Sequence, residues 1–245
     1  MARARIGCSG YEYAGWRARF YPVDVPHRAW FAWYASCFDT VELNATFYRL
    51  PTGSTVEAWR DRAPAGFVHA VKCSRYGTHR KRLTDPDTWL PAFVERIAPL
   101  GPALGPVLVQ LPPRWRANPA RLEAFLAVAP EGLRWAVEVR DPSWLCEGVY
   151  EVLARHDAAL VRHDLIADHP DVTTASWAYR RFHGPLATEH AYQHAYPEAA
   201  LAEAARWVCA HLDAGRDVYC YFNNDVEAHA PRDAVRLREL VTGAP

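Results

Sequence analysis

Short runs rich in β-branched and aromatic residues recur along the whole chain and alternate with amphipathic stretches. Such runs are typical of strands, and eight of them predict strands at residues 5–9, 40–44, 67–72, 107–111, 135–139, 159–164, 179–183 and 218–223. Because strand and helix patterns alternate, the strands are predicted to be parallel and joined by helical crossovers.

Helix starts are marked by capping residues. Ser54 with Glu57 three residues later forms a capping-box pattern. Asp85 and Asn118 each precede a proline, which is favoured at the first helical position. These signals place helices directly after the second, third and fourth predicted strands.

The number of strands and the length of 245 residues together predict a TIM-like (β/α) barrel, with one domain covering 1–245. The segment 165–177 contains Pro170 and is too short for a helix with its loops, so the barrel is predicted to be irregular between strands 6 and 7. Residues 186–196 are predicted to form a surface loop. A doubly wound open sheet is the competing architecture, but the segment 7–10 is not the glycine-rich phosphate turn that such sheets carry.

Composition narrows the classes of partner. Lys plus Arg and Asp plus Glu both number 28, so no long-range field draws the chain to nucleic acid or anionic lipid. The six cysteines form no C-x-x-C pair, which argues against a zinc knuckle or a disulfide framework. No stretch is apolar enough for a signal peptide or a membrane span, so we expect a cytoplasmic protein without a membrane partner. No oligomeric state is predicted.

Polar side chains gather where the predicted strands end. Alternation along a strand places Glu42 with Asn44, and Glu138 with Arg140, on faces that point into the barrel. The same face or strand end holds Lys72, Gln110, Arg181, His183, Asn223, Asn224 and Asp225. Barrel enzymes assemble their sites at this rim. Glu42 and Glu138 lie within apolar runs, where a carboxylate is costly, and we favour a functional role for them over a structural ion pair.

The chain also resembles a known family, the YecE-like proteins or domain of unknown function 72. The resemblance rests on residues 7–11, 16, 20–22, 40–44, 46–48, 72, 78–79, 110–113, 138–140, 143–144, 179, 181–184 and 221–225. It covers nearly the whole chain and implies a TIM-barrel-like fold, but it implies no reaction. Where the family has a glycine and an asparagine after the last strand, this chain has Ala228 and Asp233.

Four further residues complete the set of ligand-binding candidates. Ser9 lies between two glycines and could cradle an anion, although a tight turn is the commoner explanation. His79 lies in a loop, where a solvated histidine is more usual. Tyr48 and Trp144 belong to segments that match the family.

The favoured hypothesis is an enzyme that performs acid–base chemistry on a small polar or anionic ligand. Glu42 and Glu138 are the proton-transfer candidates. Lys72, Arg140 and His183 would hold negative charge, with Lys72 and His183 counted as catalytic, and the amides of Asn44, Gln110 and Asn223 would orient the ligand.

Two variants of this hypothesis stay open. In a glycoside hydrolase, the two carboxyl groups would be about 5–5.5 Å apart if retaining and about 6.5–9.5 Å apart if inverting. In a metal-assisted enzyme, a divalent ion would be held by Glu42, Glu138, His163 or Asp164, His183 and Asp225. No spacing motif supports the metal, so the cofactor is left unassigned, with a divalent metal ion as an open alternative.

The alternative from another class is a non-catalytic protein that binds a ligand or nucleic acid. Arg75, Arg80, Lys81 and Arg82 would contact phosphates, and Tyr76 would stack on a base. A solvated basic loop explains the same residues more simply, so nucleic acid is not favoured as a partner.

Two structural tests follow from the predicted faces. The side chains of Glu42, Lys72, Gln110, Glu138, His183 and Asn223 should converge on one cleft. Arg140 should contact Glu138. If Glu138 is functional, its replacement by Gln should change stability by no more than about 1–2 kcal/mol, whereas a structural pair would lose roughly 3–5 kcal/mol.

Overall fold

A computed structural model describes residues 1–243 and contains nine parallel strands in one sheet. The strands are β1 (Ala4–Ser9), β2 (Thr40–Leu43), β3 (Val68–Lys72), β4 (Leu104–Gln110), β5 (Trp135–Glu138), β6 (Ala159–Leu160), β7 (Arg162–His163), β8 (Ala178–Phe182) and β9 (Val218–Phe222). They pair in the order β6-β5-β4-β3-β2-β1-β9-β8-β7. The two ends of this sheet are joined by Val161 alone, so the sheet curls into a nearly closed barrel.

Helices follow the strands around the barrel. They are α1 (Trp30–Cys37), α2 (Ala45–Tyr48), α3 (Gly53–Arg62), α4 (Leu90–Ile97), α5 (Pro119–Leu126), α6 (Glu147–Arg155), α7 (Glu198–Asp213) and α8 (His229–Thr242). The predicted alternation is therefore confirmed, and the sequential strand order excludes the doubly wound open sheet. No helix of residues 1–243 has both the length and the hydropathy needed to cross a bilayer.

Two apolar clusters hold the fold together. The larger one fills the space between the outer face of the sheet and the helices. The smaller one fills the lower lumen and consists of Ala70, Leu108, Ala136, Ala159, Val161, Trp177, Tyr179, Tyr219 and Tyr221. Burial of these side chains stabilises the barrel by removing apolar surface from water. The lumen below the rim is consequently a packed core, as in other barrels of this size.

The irregularity predicted between the sixth and seventh predicted strands is confirmed, because residues 165–177 contain no helix. The sixth predicted strand is itself divided, which was not predicted. The run predicted as one strand at 159–164 changes partners at its middle residue: β6 pairs with β5, whereas β7 pairs with β8. No ladder joins β6 to β7 within the described part of the chain. The hydroxyl of Thr174, from the helix-free segment that follows, accepts a hydrogen bond from the backbone N–H of Leu160 at 2.9 Å. We call this break at Val161 the seam.

The helix-start predictions had mixed outcomes. Asn118 caps α5, since its side chain accepts a hydrogen bond from the N–H of Arg121 at 3.0 Å. The Ser54 prediction was wrong, because α3 begins earlier and Thr52 is its capping residue. Asp85 has a positive φ of 47° and makes no capping hydrogen bond through its side chain. It leads into a 3₁₀ turn at Pro86–Thr88 rather than directly into a helix.

Candidate functional site at the barrel mouth

The inward-facing side chains at the C-terminal strand ends are organised around Arg181. Its Nη1 donates a hydrogen bond to Glu138 Oε2 at 2.6 Å, and its Nη2 donates to Glu42 Oε1 at 2.8 Å. All three side chains are at most 1% exposed. A single guanidinium thus holds both of the carboxylates that were predicted to transfer protons, and we call this set, with its hydroxyl partners, the Arg181 network.

Glu42 has further partners that occupy both of its oxygens. Ser9 Oγ donates to Oε1, and the Tyr179 hydroxyl donates to Oε2 at 2.5 Å. Ser9 Oγ in turn accepts from Arg181 Nη2 at 3.0 Å and from Asn44 Nδ2 at 2.9 Å. Ser9 and Asn44 therefore point into the Arg181 network, where their polar groups are used to satisfy a buried charge.

The predicted contact between Glu138 and Arg140 is present. Arg140 Nε donates to Glu138 Oε1, so Glu138 is bound by two guanidinium groups. Burial alone would raise the pKa of Glu138, but Arg140 and then Arg181 hold that pKa well below its usual range. Glu138 is consequently ionised at neutral pH and is not suited to donate a proton.

His183 is a neutral acceptor rather than a cation. Its Nδ1 faces Asp164 Oδ1 at 3.1 Å, and its Nε2 faces Arg181 Nη1 at 3.2 Å and Arg140 Nη2 at 3.5 Å. Burial lowers the pKa of His183, although the hydrogen bond to Asp164 acts in the opposite direction. With Nδ1 protonated toward Asp164, Nε2 can accept from the arginines. This arrangement argues against the prediction that His183 holds negative charge.

Lys72, the last residue of β3, differs from all of these side chains. Its ammonium group has no hydrogen bond or ion pair with any residue in the range 1–243, and Nζ lies 4.5 Å from the centroid of the Phe47 ring. The pKa of Lys72 is lowered to about 8, mainly by burial and then by the nearby Arg181 guanidinium, although Glu138 and Glu42 act in the opposite direction. The amine is half-buried at the mouth and is present in both protonation states near neutral pH.

The remaining rim candidates surround Lys72 and the Arg181 network. Gln110 pairs in register with Glu138 on the neighbouring strand and faces inward. Asn223 follows β9 and is half-buried. Burial lowers the pKa of His79 to about 4, and its ring packs edge-on against Phe47. Tyr48 is 77% exposed at the outer edge of the same mouth. All six residues predicted to converge lie at C-terminal strand ends, and Arg181 joins Glu42, Glu138 and His183; the convergence of all six on one cleft stays a prediction.

The side chains of Trp144 and Asn224 are buried and do not line this mouth. Trp144 is fully buried, and its indole N–H donates to the carbonyl of Trp115 at 2.5 Å, so no surface is left for a ligand. Asn224 is also fully buried and donates to Asp233 Oδ2 at 2.7 Å and to the carbonyl of His194 at 2.9 Å. Both side chains stabilise the loops around the mouth.

The segment after β9 shows what the two departures from the family do here. Ala228 has φ 58°, a left-handed conformation in which glycine is favoured because it has no Cβ. Asp233 accepts hydrogen bonds from Asn224 and from the backbone N–H of Tyr196 at 3.1 Å. Asp225, between them and β9, is largely buried, and burial raises its pKa to about 8.

The metal and glycosidase variants do not fit these contacts. Among residues 1–243, no group of three His, Cys, Asp or Glu side chains could hold a metal ion. The proposed donors have other partners: His163 Nε2 contacts the carbonyl of Val139 at 2.8 Å, and Glu42 and Glu138 are bound by Arg181. Because the Arg181 guanidinium lies between the two carboxylates, no sugar ring can bind between them.

The basic loop proposed for nucleic acid follows β3. Tyr76 is 48% exposed, and Arg75, Arg80 and Arg82 are exposed as well. Lys81 forms an ion pair with Asp85 at 3.2 Å. The loop is therefore solvated and lies beside the mouth, and its binding to nucleic acid stays a prediction.

Two surface cavities are large enough to hold a small molecule. One, of about 620 Å³, opens beside Arg140 and is walled by Leu145, Tyr150 and Ile166 among others. Its volume is in the range typical of small-molecule sites. The other, of about 360 Å³, lies on the helical side of the barrel between Leu90 on α4 and the residues after α5, away from the charged mouth.

Comparison with known proteins identifies the family. The model of the family described as "Protein of unknown function DUF72" matches residues 5–245. The chain belongs to the DUF72 family. Among curated proteins, the UPF0759 protein YecE of Escherichia coli K12 is 33% identical over 121 residues, which are 48% of this chain and 44% of that relative. The match thus spans less than half the length of the curated relative.

Solved structures of DUF72 proteins have the same barrel. A DUF72 family protein from Thermotoga maritima MSB8 has a TM-score of 0.86 at 26% identity, covering 98% of this chain and 99% of the other. One from Enterococcus faecalis V583 has a TM-score of 0.79 at 18% identity, covering 98% and 95%. The latter likeness concerns the fold alone.

Three side chains with clear roles were absent from the predicted site. Tyr179, whose hydroxyl binds Glu42, lies two residues before Arg181, and the same alternation of strand faces could have identified it. Asp164 was considered only as a metal ligand, yet it accepts hydrogen bonds from His183 and from the hydroxyl of Tyr196. Tyr196 lies in an irregular segment, and no periodic signal marks it.

Proposed function

We propose that this protein is an enzyme that binds a small anionic ligand at the barrel mouth and transfers a proton through the amine of Lys72. The observation that carries the proposal is the lack of any partner for Lys72 Nζ among residues 1–243, at a mouth where Glu42, Glu138 and Arg181 are paired with one another. Buried polar groups in proteins are normally satisfied, so a half-buried lysine without a partner indicates a group kept available.

The depth of the charges supports an anionic ligand. Glu42 and Glu138 are fully buried, whereas the side chain of Arg140 is 14% exposed and Lys72 is half-buried. The two carboxylates therefore lie deeper than Arg140 and Lys72, and both are already bound by the equally buried Arg181. A ligand that enters the mouth meets Arg140 and Lys72 first.

Lys72 suits proton transfer better than the two carboxylates do. General acid–base catalysis is most efficient when the group has a pKa close to the working pH. With a pKa of about 8, Lys72 can accept a proton and return it near neutral pH. Glu138 remains ionised under the same conditions because two arginines stabilise its charge.

A test of the proposal does not require the substrate to be known. The protein is incubated in D₂O with a mixture of small carboxylates and phosphate esters, and mass spectrometry follows both consumption and deuterium uptake for each compound. We expect at least one compound to change with the parent protein and with Lys81→Met, but not with Lys72→Met. Lys81 is a suitable control because its ammonium group is already paired with Asp85.

The outcomes separate an enzyme from a binding protein. Compounds that raise the unfolding temperature without consumption or deuterium uptake would indicate a non-catalytic binding protein and contradict the proposal. Equal turnover by Lys72→Met and the parent would exclude Lys72 as the proton-transfer group.

A further inference from the structure

The basic residues of this chain are distributed very unevenly between the two types. Of its 28 lysines and arginines, only Lys72 and Lys81 are lysines. Nearly every basic residue is thus an arginine, including Arg140 and Arg181, the two cations that bind Glu138. Lys72 is an inward-facing cation that has no hydrogen bond or ion pair within residues 1–243.

Lysine and arginine differ chemically in one respect that matters here. A guanidinium stays protonated in proteins, whereas an amine can lose its proton and become a nucleophile. If Lys72 only attracted an anion, arginine would serve equally well. The choice of lysine at this position indicates a use for the lone pair on nitrogen.

We propose that Lys72 is a covalent nucleophile whose Nζ forms an imine with the carbonyl carbon of an anionic aldehyde or ketone. This inference rests on the proposed function and specifies its substrate class, a carbonyl compound with a carboxylate or phosphate group. Arg140, the other partly exposed cation of the mouth, binds the anionic group. Lysine amines form Schiff bases with carbonyl substrates in many enzymes.

The surroundings of Lys72 fit the steps of this reaction. The neutral amine attacks the carbonyl carbon, so a C–N bond forms as the C=O π bond breaks, and a proton moves from nitrogen to oxygen to give a carbinolamine. The second proton on nitrogen is transferred to that hydroxyl, which leaves as water while the nitrogen lone pair forms the C=N bond, with no net oxidation or reduction. The Phe47 ring beside Nζ provides an apolar face, and Gln110 lies on the adjacent strand, two residues beyond Leu108, the register partner of Lys72.

The protonation state of the amine favours attack at neutral pH. With a pKa of about 8, roughly a tenth of Lys72 is unprotonated at pH 7, against roughly 0.04% for an ordinary lysine. The nucleophilic fraction is thus increased by on the order of a hundredfold or more.

Because the sequence contains only two lysines, an adduct on a lysine side chain can be assigned to Lys72 or Lys81 without ambiguity. The intact protein is incubated at pH 7 with glyoxylate, pyruvate or uncharged acetaldehyde, together with sodium cyanoborohydride, which reduces an imine to a stable secondary amine. Peptide mapping by mass spectrometry then measures the adduct at Lys72, at Lys81 and at the amino terminus. We expect an adduct with glyoxylate or pyruvate at Lys72 that exceeds that at Lys81 by about tenfold or more.

Variants identify the amine and keep the test independent of folding. Lys72→Arg retains the positive charge but cannot form an imine, so the adduct should disappear although thermal unfolding is unchanged. Arg140→Gln should weaken trapping of the two anionic probes more than that of acetaldehyde. Equal adducts at Lys72 and Lys81, or none at Lys72 with any of the three carbonyls, would overturn the inference.

Failure of this inference can be distinguished from failure of the proposed function. If deuterium uptake depends on Lys72 but no adduct is trapped, Lys72 acts by proton transfer alone and the imine is excluded. If neither deuterium uptake nor trapping depends on Lys72, both proposals are wrong.

Discussion

Arg181 and Lys72 are two cations on the inner face of one barrel, and they are treated in opposite ways. Arg181 is fully buried and contacts two carboxylates, a hydroxyl and an imidazole. Lys72 is half-buried, and its ammonium group lies over the Phe47 ring without a hydrogen bond or ion pair to any of residues 1–243. Satisfied and unsatisfied charges therefore lie within one rim.

The difference shows that position at the rim does not by itself identify a functional residue. Glu42 and Glu138 have the positions that barrel enzymes use, yet their oxygens are already bound by the protein. A group that is fully hydrogen-bonded inside the fold contributes to stability and to a unique arrangement. A group at the mouth that is left without a partner and reaches solvent is available to a ligand.

The largest expected effect is that of Arg181→Met. It would leave two buried carboxylates without their shared cation, and breaking one buried pair already costs about 3–5 kcal/mol. We therefore expect at least that loss in urea unfolding, or failure to fold, with partial recovery in Arg181→Lys. A stability within about 1 kcal/mol of the parent would show that the Arg181 network is not structural.

The next effect in size is that of Glu138→Gln. This change leaves Arg181 paired with Glu42 but removes the ionic partner of Arg140, so we expect a loss of about 3 kcal/mol in urea unfolding. The result distinguishes the two forecasts made from the sequence, and the structure favours the larger loss. If the free energy of unfolding changes by less than about 1 kcal/mol, Glu138 is better explained by a functional role than by a structural one.

His69 tests a third case, a buried group that lacks a partner and is closed to ligands. It faces the helices, and neither ring nitrogen has a hydrogen-bond partner among residues 1–243. Burial lowers the pKa of His69 to about 4, so the unfolded chain binds a proton more readily below about pH 6.5. Stability should thus fall as pH drops from about 6.5 to about 4, by up to about 3 kcal/mol from this residue.

The variant His69→Leu should remove that part of the acid sensitivity. The measurement is the difference in unfolding free energy between pH 7 and pH 4.5, for the parent and for the variant. An equal pH dependence in the two proteins would mean that His69 is not held neutral in the fold.

The smallest expected effect on stability is that of Lys72→Met. Because no ion pair or hydrogen bond is lost, we expect a change within about 1 kcal/mol, with a slight gain if the desolvated charge was unfavourable. The contrast with Arg181→Met is the sharpest form of the comparison. A loss of several kcal/mol in urea unfolding would reveal a structural role for Lys72.

Much of the barrel could be predicted from local patterns. The alternation of apolar and polar residues identified the inward faces of β2, β3, β4, β5 and β8 correctly, because a packed lumen requires one face of each strand to be apolar below the rim. The division of the sixth run into β6 and β7 was less visible, since both halves have the same pattern and differ only in their partners.

The candidate site was harder to predict because pairing depends on distances between strands. Sequence spacing suggested the contact between Glu138 and Arg140, which are neighbours on one face. It could not show that Arg181, from β8, reaches Glu42 across the barrel, 139 residues away in sequence. For the same reason, the lack of a partner for Lys72 became visible only when every other side chain at the mouth was placed.

The seam at Val161 gives the barrel a mechanical property that a continuous ladder would not have. In a closed barrel, strand number and stagger fix the diameter through hydrogen bonds around the whole circumference. In this barrel no ladder hydrogen bonds join β6 to β7 within residues 1–243. The chain that follows β7, including Leu165 and Ile166, forms one wall of the cavity beside Arg140. Widening of the mouth between β6 and β7 would break side-chain contacts but no ladder hydrogen bonds, so the sheet resists opening least along the seam.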